Sequence, residues 1–152
     1  MIELGVPAGI FAADTCIKHY IDKNFSFDRK KYIFGKRILI HKYYNKGAVL
    51  NFLADFPKVM GGIHAGMFVF VTGIYAFLFK SKGDTGVKIS LGLLVGGGAS
   101  NLLDRMKKGH VVDYFSFVTP FRKFNQIVFN LSDIAIFIGA VFACVFREKS
   151  VM

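Results

Sequence analysis

The chain has 152 residues, 53% of them hydrophobic and 20% charged, which suits one domain over residues 1–152 and is too short for two. Val59–Phe79 carries no formal charge over a length that crosses a bilayer, which excludes a disordered chain and makes a small soluble enzyme a poor fit. Lys and Arg number 20 against 10 Asp and Glu. Beside membrane spans, anionic lipid headgroups explain this excess, so membrane phospholipids and no nucleic acid are the expected partners.

Four segments of the chain are predicted to be transmembrane helices. The first, Ile2–Tyr20, contains polar residues, but its start lacks the basic residues of a signal peptide, and we interpret it as a helix. The second and third are Val59–Phe79 and Val87–Leu103, and the fourth, Gln126–Phe146, has polar residues in its first two turns. Small residues recur four apart in each span, which lets helices approach closely in lipid. The predicted fold class is therefore an α-helical integral membrane protein with a compact four-helix bundle.

The segment Ile21–Lys58, between the first and second spans, is polar and aromatic. Its β-branched and aromatic runs flank a turn at Gly35, a pattern typical of strands, so a small β-rich segment is expected on the membrane surface. Residues Arg105–Asn125 are predicted to form a second, larger loop. Cys16 and Cys144 lie in apolar stretches and are interpreted as small core residues, without a disulfide or a metal site.

The polar residues of the predicted spans are expected at one membrane face. Consecutive helices alternate in direction, so the ends of the first and third spans meet the starts of the second and fourth. Residues three or four apart share a helix face. Three polar pairs have this spacing: Asp14 with Lys18, Asn101 with Arg105, and Asn130 with Asp133.

Two interpretations of the charged residues remain open. Ionisable groups in membrane spans either form ion pairs that tie helix ends or face a wet cavity. The candidate structural pairs are Asp14 with Lys18 and Asp104 with Arg105. Asp113 and Asp133 have no cation at helical spacing, and two carboxylates held together would share one proton. One of them would then be a general base and the other a general acid.

Other chemistries lack their sequence signatures. No Ser lies in a Gly-x-Ser-x-Gly motif, and the four His residues do not have metal-ligand spacing. We therefore expect no metal site. His64, alone among apolar neighbours, is interpreted as a hydrogen-bonded interior histidine.

Four blocks, in this order, resemble the lipoprotein signal peptidase (signal peptidase II) family. They are Ala13-Asp-Thr-Cys-Ile-Lys18, Asn45-Lys-Gly-Ala48, the long block from Gly97 to Tyr114, and Phe129-Asn-Leu-Ser-Asp133. The resemblance covers nearly the whole chain. It implies a multi-pass aspartic-type endopeptidase of the bacterial cytoplasmic (inner) membrane, acting on lipid-modified prolipoproteins. Such an enzyme removes the signal peptide by cutting before the diacylglyceryl-modified cysteine, and no metal or organic cofactor is implied.

The resemblance also assigns roles to individual residues. Asp113 and Asp133 fall on the family's catalytic pair, and Asp104 is expected to be structural. The β-rich cradle of the family would correspond to Ile21–Lys58. Six further residues fall on supporting positions that bind substrate and shape the pocket: Asp14, Lys18, Asn45, Asn101, Arg105 and Asn130.

Two departures from the family pattern would suit a divergent paralogue with altered substrates. Ser132 replaces the usual Ala, so its hydroxyl either bonds to Asp133 and favours the ionised carboxylate or points away. The block at Asn45 continues Ala-Val-Leu-Asn instead of the more typical Ala-Ala-Phe. A non-catalytic membrane protein that binds lipidated peptides or lipids is the alternative function, although a binder would not need the paired carboxylates. A small transporter is less favoured, because no inverted repeat is visible.

The charge distribution conflicts with the family's orientation. If both termini are cytoplasmic, 15 of the 20 Lys and Arg residues lie on the outer side. The positive-inside rule predicts the reverse. We give the specific motifs precedence over this statistical rule, and expect the basic outer loops to contact anionic lipids.

Overall fold

A computed structural model describes residues 2–47, 53–79 and 85–151, so Ala48 and the altered residues after it lie outside the described residues. The protein is mostly helical, with one small sheet. In chain order its elements are α1 Ile2–Asn24, β1 Lys31–Ile33, β2 Ile38–Asn45, α2 Pro57–Phe79, α3 Thr85–Lys108, β3 Val111–Phe117, α4 Arg122–Asn125 and α5 Leu131–Val151.

Helix α3 is the centre of the bundle and packs against α1, α2 and α5. Its glycines permit this contact: a Cβ added at Gly96 would lie 2.6 Å from the Pro7 carbonyl oxygen of α1. A Cβ added at Gly97 would lie 2.7 Å from the Ser132 carbonyl oxygen of α5. Close packing through small residues is therefore confirmed for α3.

The same prediction of close packing is wrong for Gly5 and Gly9 of α1 and for Gly62 and Gly66 of α2. A Cβ added at any of these four glycines would meet nothing within 4 Å. These glycines lie on outward surfaces of the bundle, which the repeat of small residues alone does not distinguish from packed ones.

Helices α2 and α3 are long and apolar enough to cross a membrane, with mean hydropathies of 1.8 and 1.3 over their most apolar windows. In the part of the chain that the structure describes, these two meet that standard. Helix α5 contributes a shorter apolar stretch, Leu131–Phe146. Phe77 of α2 is 80% exposed and Val69 is 69% exposed, as side chains that face lipid would be.

The three strands form an antiparallel sheet in the order β1-β2-β3. Strands β1 and β2 come from the segment between α1 and α2, which confirms the predicted β-rich segment. Strand β3 comes from the stretch predicted to be a loop, and Tyr43 of β2 pairs with Asp113 of β3. One face of the sheet packs on the end of α1 through Ile21, Phe25, Val112 and Tyr114.

The start of the last long helix differs from its prediction. Helix α5 begins at Leu131 and not at Gln126, because Phe129 forms a β-bridge with Phe115 of β3. The backbone N–H of Phe129 donates to the carbonyl oxygen of Phe115 at 2.7 Å, which holds this segment extended.

The interpretation of the cysteines as core residues is also wrong. Cys16 and Cys144 are free thiols with exposed side chains. Both lie on bundle surfaces made of apolar neighbours, where a thiol behaves as a small hydrophobic group.

Candidate active site

Polar residues of α1, α3, β2, β3 and the start of α5 meet in one hydrogen-bonded network. The structure thus brings together the charged and amide side chains predicted to share one end of the bundle. The members joined directly by side-chain contacts are Asp14, Lys18, Asn45, Asn101, Asp113, Asn130 and Asp133.

Asn130 and Asp133 cap the N-terminus of α5. The backbone N–H of Asp133 donates to Oδ1 of Asn130 at 2.9 Å, and the backbone N–H of Asn130 donates to Oδ2 of Asp133 at 3.0 Å. This reciprocal pair is a capping box, and the carboxylate also benefits from the helix dipole. Asn130 therefore lies just before the helix, which corrects the prediction that it shares a helix face with Asp133.

Asp113 lies in the middle of β3 and is 1% exposed. Its carboxylate accepts hydrogen bonds from Nδ2 of Asn130 at 2.7 Å and from Nδ2 of Asn45 at 3.0 Å. Burial, together with the nearby carboxylate of Asp133, raises the pKa of Asp113 to about 7. Asp113 therefore keeps its proton up to near-neutral pH, whereas Asp133 is partly exposed.

Lys18 fixes the orientation of the Asn101 amide, which lies beside Asp133. Its Nζ donates to Oδ1 of Asn101 at 2.6 Å, and Nδ2 of Asn130 donates to the same oxygen at 3.1 Å. The amide nitrogen of Asn101 consequently faces Asp133 and donates to its Oδ1 at 2.9 Å. Both amides thus present N–H groups to carboxylates, because the Lys18 cation occupies the oxygen of Asn101 and the backbone N–H of Asp133 occupies the oxygen of Asn130.

Asp14 is fully buried and accepts hydrogen bonds from several elements. Its ion pair with Lys18, at 2.8 Å, confirms the structural pair considered from the sequence. The hydroxyl of Ser132 donates to Oδ2 of Asp14 at 2.6 Å, so it is directed to Asp14 and away from Asp133. Three more donors bond to Asp14: the hydroxyls of Ser100 at 2.7 Å and Tyr114 at 2.9 Å, and the backbone N–H of Leu131 at 3.1 Å.

The second structural pair considered, Asp104 with Arg105, is wrong. Asp104 instead pairs with Lys108 at 3.1 Å and Lys18 at 3.5 Å, and it accepts a hydrogen bond from the backbone N–H of Val112. It therefore joins the end of α3 to α1 and β3. Adjacent residues such as Asp104 and Arg105 point to different sides of a helix, whereas Lys108 lies four residues after Asp104 on the same face, so helical spacing favours the pair that is observed.

Arg105 is directed toward α2 and the end of β2. Its Nε donates to Nδ1 of His64 at 3.2 Å, which confirms His64 as a hydrogen-bonded interior histidine. Its Nη2 donates to the carbonyl oxygen of Gly47 at 2.8 Å. The backbone N–H of Gly47 in turn donates to Oδ1 of Asn45, so Arg105 and Asn45 hold the same turn.

Two residues of the network, Ser100 and Tyr114, were not predicted. Both are buried, and each is adjacent in sequence to a predicted site residue. That adjacency is the available signal, since neither residue belongs to a spacing pattern that points to this chemistry.

Comparison with known proteins identifies the family. The family model described as signal peptidase (SPase) II matches residues 6–147. A protein named lipoprotein signal peptidase from Pseudomonas paraeruginosa (strain DSM 24068 / PA7) is 33% identical over 150 residues, covering 96% of this chain and 88% of that protein. One of the same name from Moorella thermoacetica (strain ATCC 39073 / JCM 9320) is 29% identical over 136 residues, covering 89% of this chain and 85% of that protein.

Solved structures show the same fold. A structure described as a bacterial membrane enzyme solved by the in meso method at 2.3 Å resolution superposes with a TM-score of 0.83 and 17% identity. The match covers 99% of this chain and 89% of that one. A second bacterial membrane enzyme, solved at 1.9 Å resolution, gives a TM-score of 0.78 at 16% identity, covering 97% of this chain and 93% of that one. The matches to the family and to its named members extend over almost the full length, and the chain belongs to the signal peptidase II family.

Proposed function

We propose that this protein is an aspartyl endopeptidase that removes signal peptides from diacylglyceryl-modified prolipoproteins, cutting before the lipidated cysteine. The observation that carries this proposal is the link that Asn130 makes between two carboxylates. Its side-chain amide donates to Asp113 and its backbone N–H donates to Asp133. The relatives named lipoprotein signal peptidase support the substrate class.

The two carboxylates would divide the acid and base roles. Asp133, the more exposed of the two, removes a proton from water as the water oxygen bonds to the scissile carbonyl carbon. Asp113, which holds a proton, donates it to the carbonyl oxygen, giving a neutral tetrahedral diol. Asp133 then protonates the amide nitrogen as the carbon–nitrogen bond breaks, and the diol returns a proton to Asp113. Both residues end in their starting protonation states.

The surrounding residues would play two kinds of role. Asn45 and Arg105 hold the turn at Gly47 beside the dyad, and we assign them to binding the substrate peptide. Asn101 and Asn130 orient the carboxylates. Asp14 and Lys18, although they match substrate-binding positions of the family, are 0% and 2% exposed, so we assign them to positioning.

The proposed setting is the bacterial inner membrane, with α1, α2, α3 and α5 as four spans of a single domain and both termini cytoplasmic. The sheet would then lie on the outer surface. Its hairpin tip exposes Phe34, 74% accessible, beside Lys36 and Arg37. Aromatic rings with adjacent cations suit the bilayer interface, where phospholipid headgroups meet acyl chains.

The decisive experiment incubates the purified protein in lipid with a diacylated prolipoprotein. The parent should release the signal peptide, whereas Asp113→Asn and Asp133→Asn should each lower turnover by at least about a thousandfold, because either change removes the acid–base pair. Asp28→Asn makes the same chemical change at an exposed residue and should retain full activity. Near-normal turnover by either dyad variant would refute the mechanism. A folded parent that binds the lipidated substrate without cleaving it would favour a binding protein.

A further inference from the structure

We propose that the hydroxyls of Ser132 and Tyr114 are positioning groups that set the relative placement of Asp113 and Asp133 through the buried carboxylate of Asp14. This role rests on the proposed function. Each hydroxyl belongs to the sequence neighbour of one proposed catalytic residue, and both donate to the same carboxylate. Asp14 is fully buried and does not lie next to either catalytic residue in sequence.

The Tyr114 hydroxyl connects three elements. It donates to Oδ1 of Asp14 at 2.9 Å and accepts a hydrogen bond from the backbone N–H of Leu131 at 2.8 Å. Because residues alternate along a strand, Tyr114 points to the α1 side of β3 while Asp113 points to the polar site. Fixing the Tyr114 ring against α1 therefore fixes the strand position from which Asp113 projects.

The Ser132 hydroxyl does the same for the other carboxylate. It is fully buried and donates to Oδ2 of Asp14 at 2.6 Å. Ser132 lies in the first turn of α5, immediately before Asp133, and the backbone N–H of Leu131 also donates to Asp14 at 3.1 Å. The first turn of the helix is thus held to α1 by a side chain and by the backbone.

These bonds are suited to positioning because their acceptor is charged and itself held in place. Hydrogen bonds to an ionised carboxylate are shorter and stronger than neutral ones. Lys18 compensates the charge of Asp14 at 2.8 Å, and Ser100 of the central helix α3 supplies another bond at 2.7 Å. Both β3 and α5 are therefore hydrogen-bonded to the same fixed carboxylate, that of Asp14. Because small displacements of a reacting group greatly lower reaction rates, the loss of these bonds is expected to lower turnover.

If the two hydroxyls only stabilised the fold, removing other buried hydroxyls of the bundle would lower kcat equally. The chain provides two matched controls for this alternative. Ser90 is as buried as Ser132, and its hydroxyl donates to the carbonyl oxygen of Gly86 near the other end of α3. Tyr75 is buried like Tyr114, and its hydroxyl donates to the carbonyl oxygen of Glu3 at the start of α1. Both controls remove the same atom from the same bundle, away from the dyad.

The experiment compares Ser132→Ala, Tyr114→Phe and their double variant with Ser90→Ala and Tyr75→Phe. It measures kcat and KM on a diacylated prolipoprotein, and the thermal midpoint of each protein in lipid. We expect kcat to fall about tenfold in each test variant, with KM changing by less than about twofold. The double variant should lose more than the product of the single losses, because each hydroxyl still restrains Asp14 when the other is absent. The control variants should keep the parent kcat at comparable thermal midpoints.

Three outcomes would overturn the inference. One is an unchanged kcat in both test variants, and another is an equal loss of kcat in the matched controls. The third is a loss confined to KM. If Tyr114→Phe does not fold, the kcat of Ser132→Ala alone decides whether the inference holds. A parent that fails to cleave refutes the proposed function and this inference with it, whereas a cleaving parent with fully active variants refutes the inference alone.

Discussion

Asp113 and Asp133 have the same side chain in different surroundings. Each accepts two N–H hydrogen bonds, but Asp113 is buried in a strand, whereas Asp133 is partly exposed at a helix N-terminus. Burial favours the neutral carboxyl, and a helix N-terminus favours the charged one. The surroundings thus provide a physical reason for the division of roles in the proposed mechanism.

The pH dependence of cleavage follows from the same asymmetry. The pKa of Asp113 is raised to about 7 by burial and by the nearby carboxylate, so the protonated form prevails below that value. Above that value Asp113 loses its proton and the general acid is lost. We expect kcat/KM to fall about tenfold per pH unit above roughly pH 7, measured with a diacylated prolipoprotein at constant ionic strength. A profile that stays flat to about pH 9 would contradict this assignment of the acid.

At the scale of a single element, the capping box of α5 contributes both to the stability of the fold and to the geometry of the candidate site. Asn130→Ala removes the cap of the helix and also the amide that bonds to Asp113. We expect it to lower the free energy of unfolding by about 1–2 kcal/mol and to lower kcat at least about a hundredfold. The measurements are thermal unfolding in lipid and turnover of lipidated substrate.

Asn125→Ala is the matched control for that change. The Asn125 side chain makes three hydrogen bonds to Thr119 in the loop after β3, so its loss also costs stability. It contacts neither carboxylate. We expect Asn125→Ala to unfold more easily than the parent while keeping its kcat, and equal losses of turnover in the two variants would show that the cap acts only through stability.

The secondary-structure elements show what local sequence patterns can and cannot predict. Apolar runs and strand-like alternation were sufficient to predict every long helix and the β1–β2 hairpin. The start of α5 was misplaced because Gln126–Phe129 is apolar enough to extend a helix, yet Phe129 is held extended by its bridge to Phe115. Strand β3 was predicted as loop for the related reason that its pairing partner, β2, is distant in sequence.

The site was predictable to the extent that its members follow helical spacing or a family motif. Asp14 and Lys18 bond as their spacing indicates. The bonds that Asp14 receives from Ser132 and Tyr114 cross between elements, and no local pattern encodes a contact between residues about a hundred positions apart. Helix packing through Gly96 and Gly97 brings those elements close enough to bond.

At the scale of the whole molecule, positive charge and aromatic rings concentrate at the edge of the sheet. The hairpin tip at Phe34 is tied to the end of β3, since the backbone N–H of Val118 donates to the carbonyl oxygen of Arg37 at 2.8 Å. Phe121, 74% exposed, and the basic residues of α4 follow directly in sequence. This arrangement gives a physical reason for the many cations on the proposed outer side.

We therefore expect anionic lipid to assist the enzyme through the hairpin tip. The parent should cleave faster in phosphatidylglycerol bilayers than in phosphatidylcholine bilayers. The double change of Lys36→Gln and Arg37→Gln should reduce that advantage by about fivefold or more, since each cation near a headgroup surface contributes about 1 kcal/mol. Exchanging the two cations, Lys36→Arg with Arg37→Lys, preserves charge and should preserve the advantage. An advantage that survives the neutral variant would assign the lipid effect to another surface.

The central position of α3 also has a consequence for how the protein is made. In the proposed four-span arrangement α1 and α2 would enter the membrane first, and at that stage Asp14 and Lys18 would have neither Ser100 nor Asn101 as partners. A nascent chain that ends before α3 would therefore hold this ion pair in lipid without the groups that stabilise it. Insertion of Thr85–Lys108 would supply the first of these partners, and β3 and α5 would then complete the polar centre with Tyr114 and Ser132.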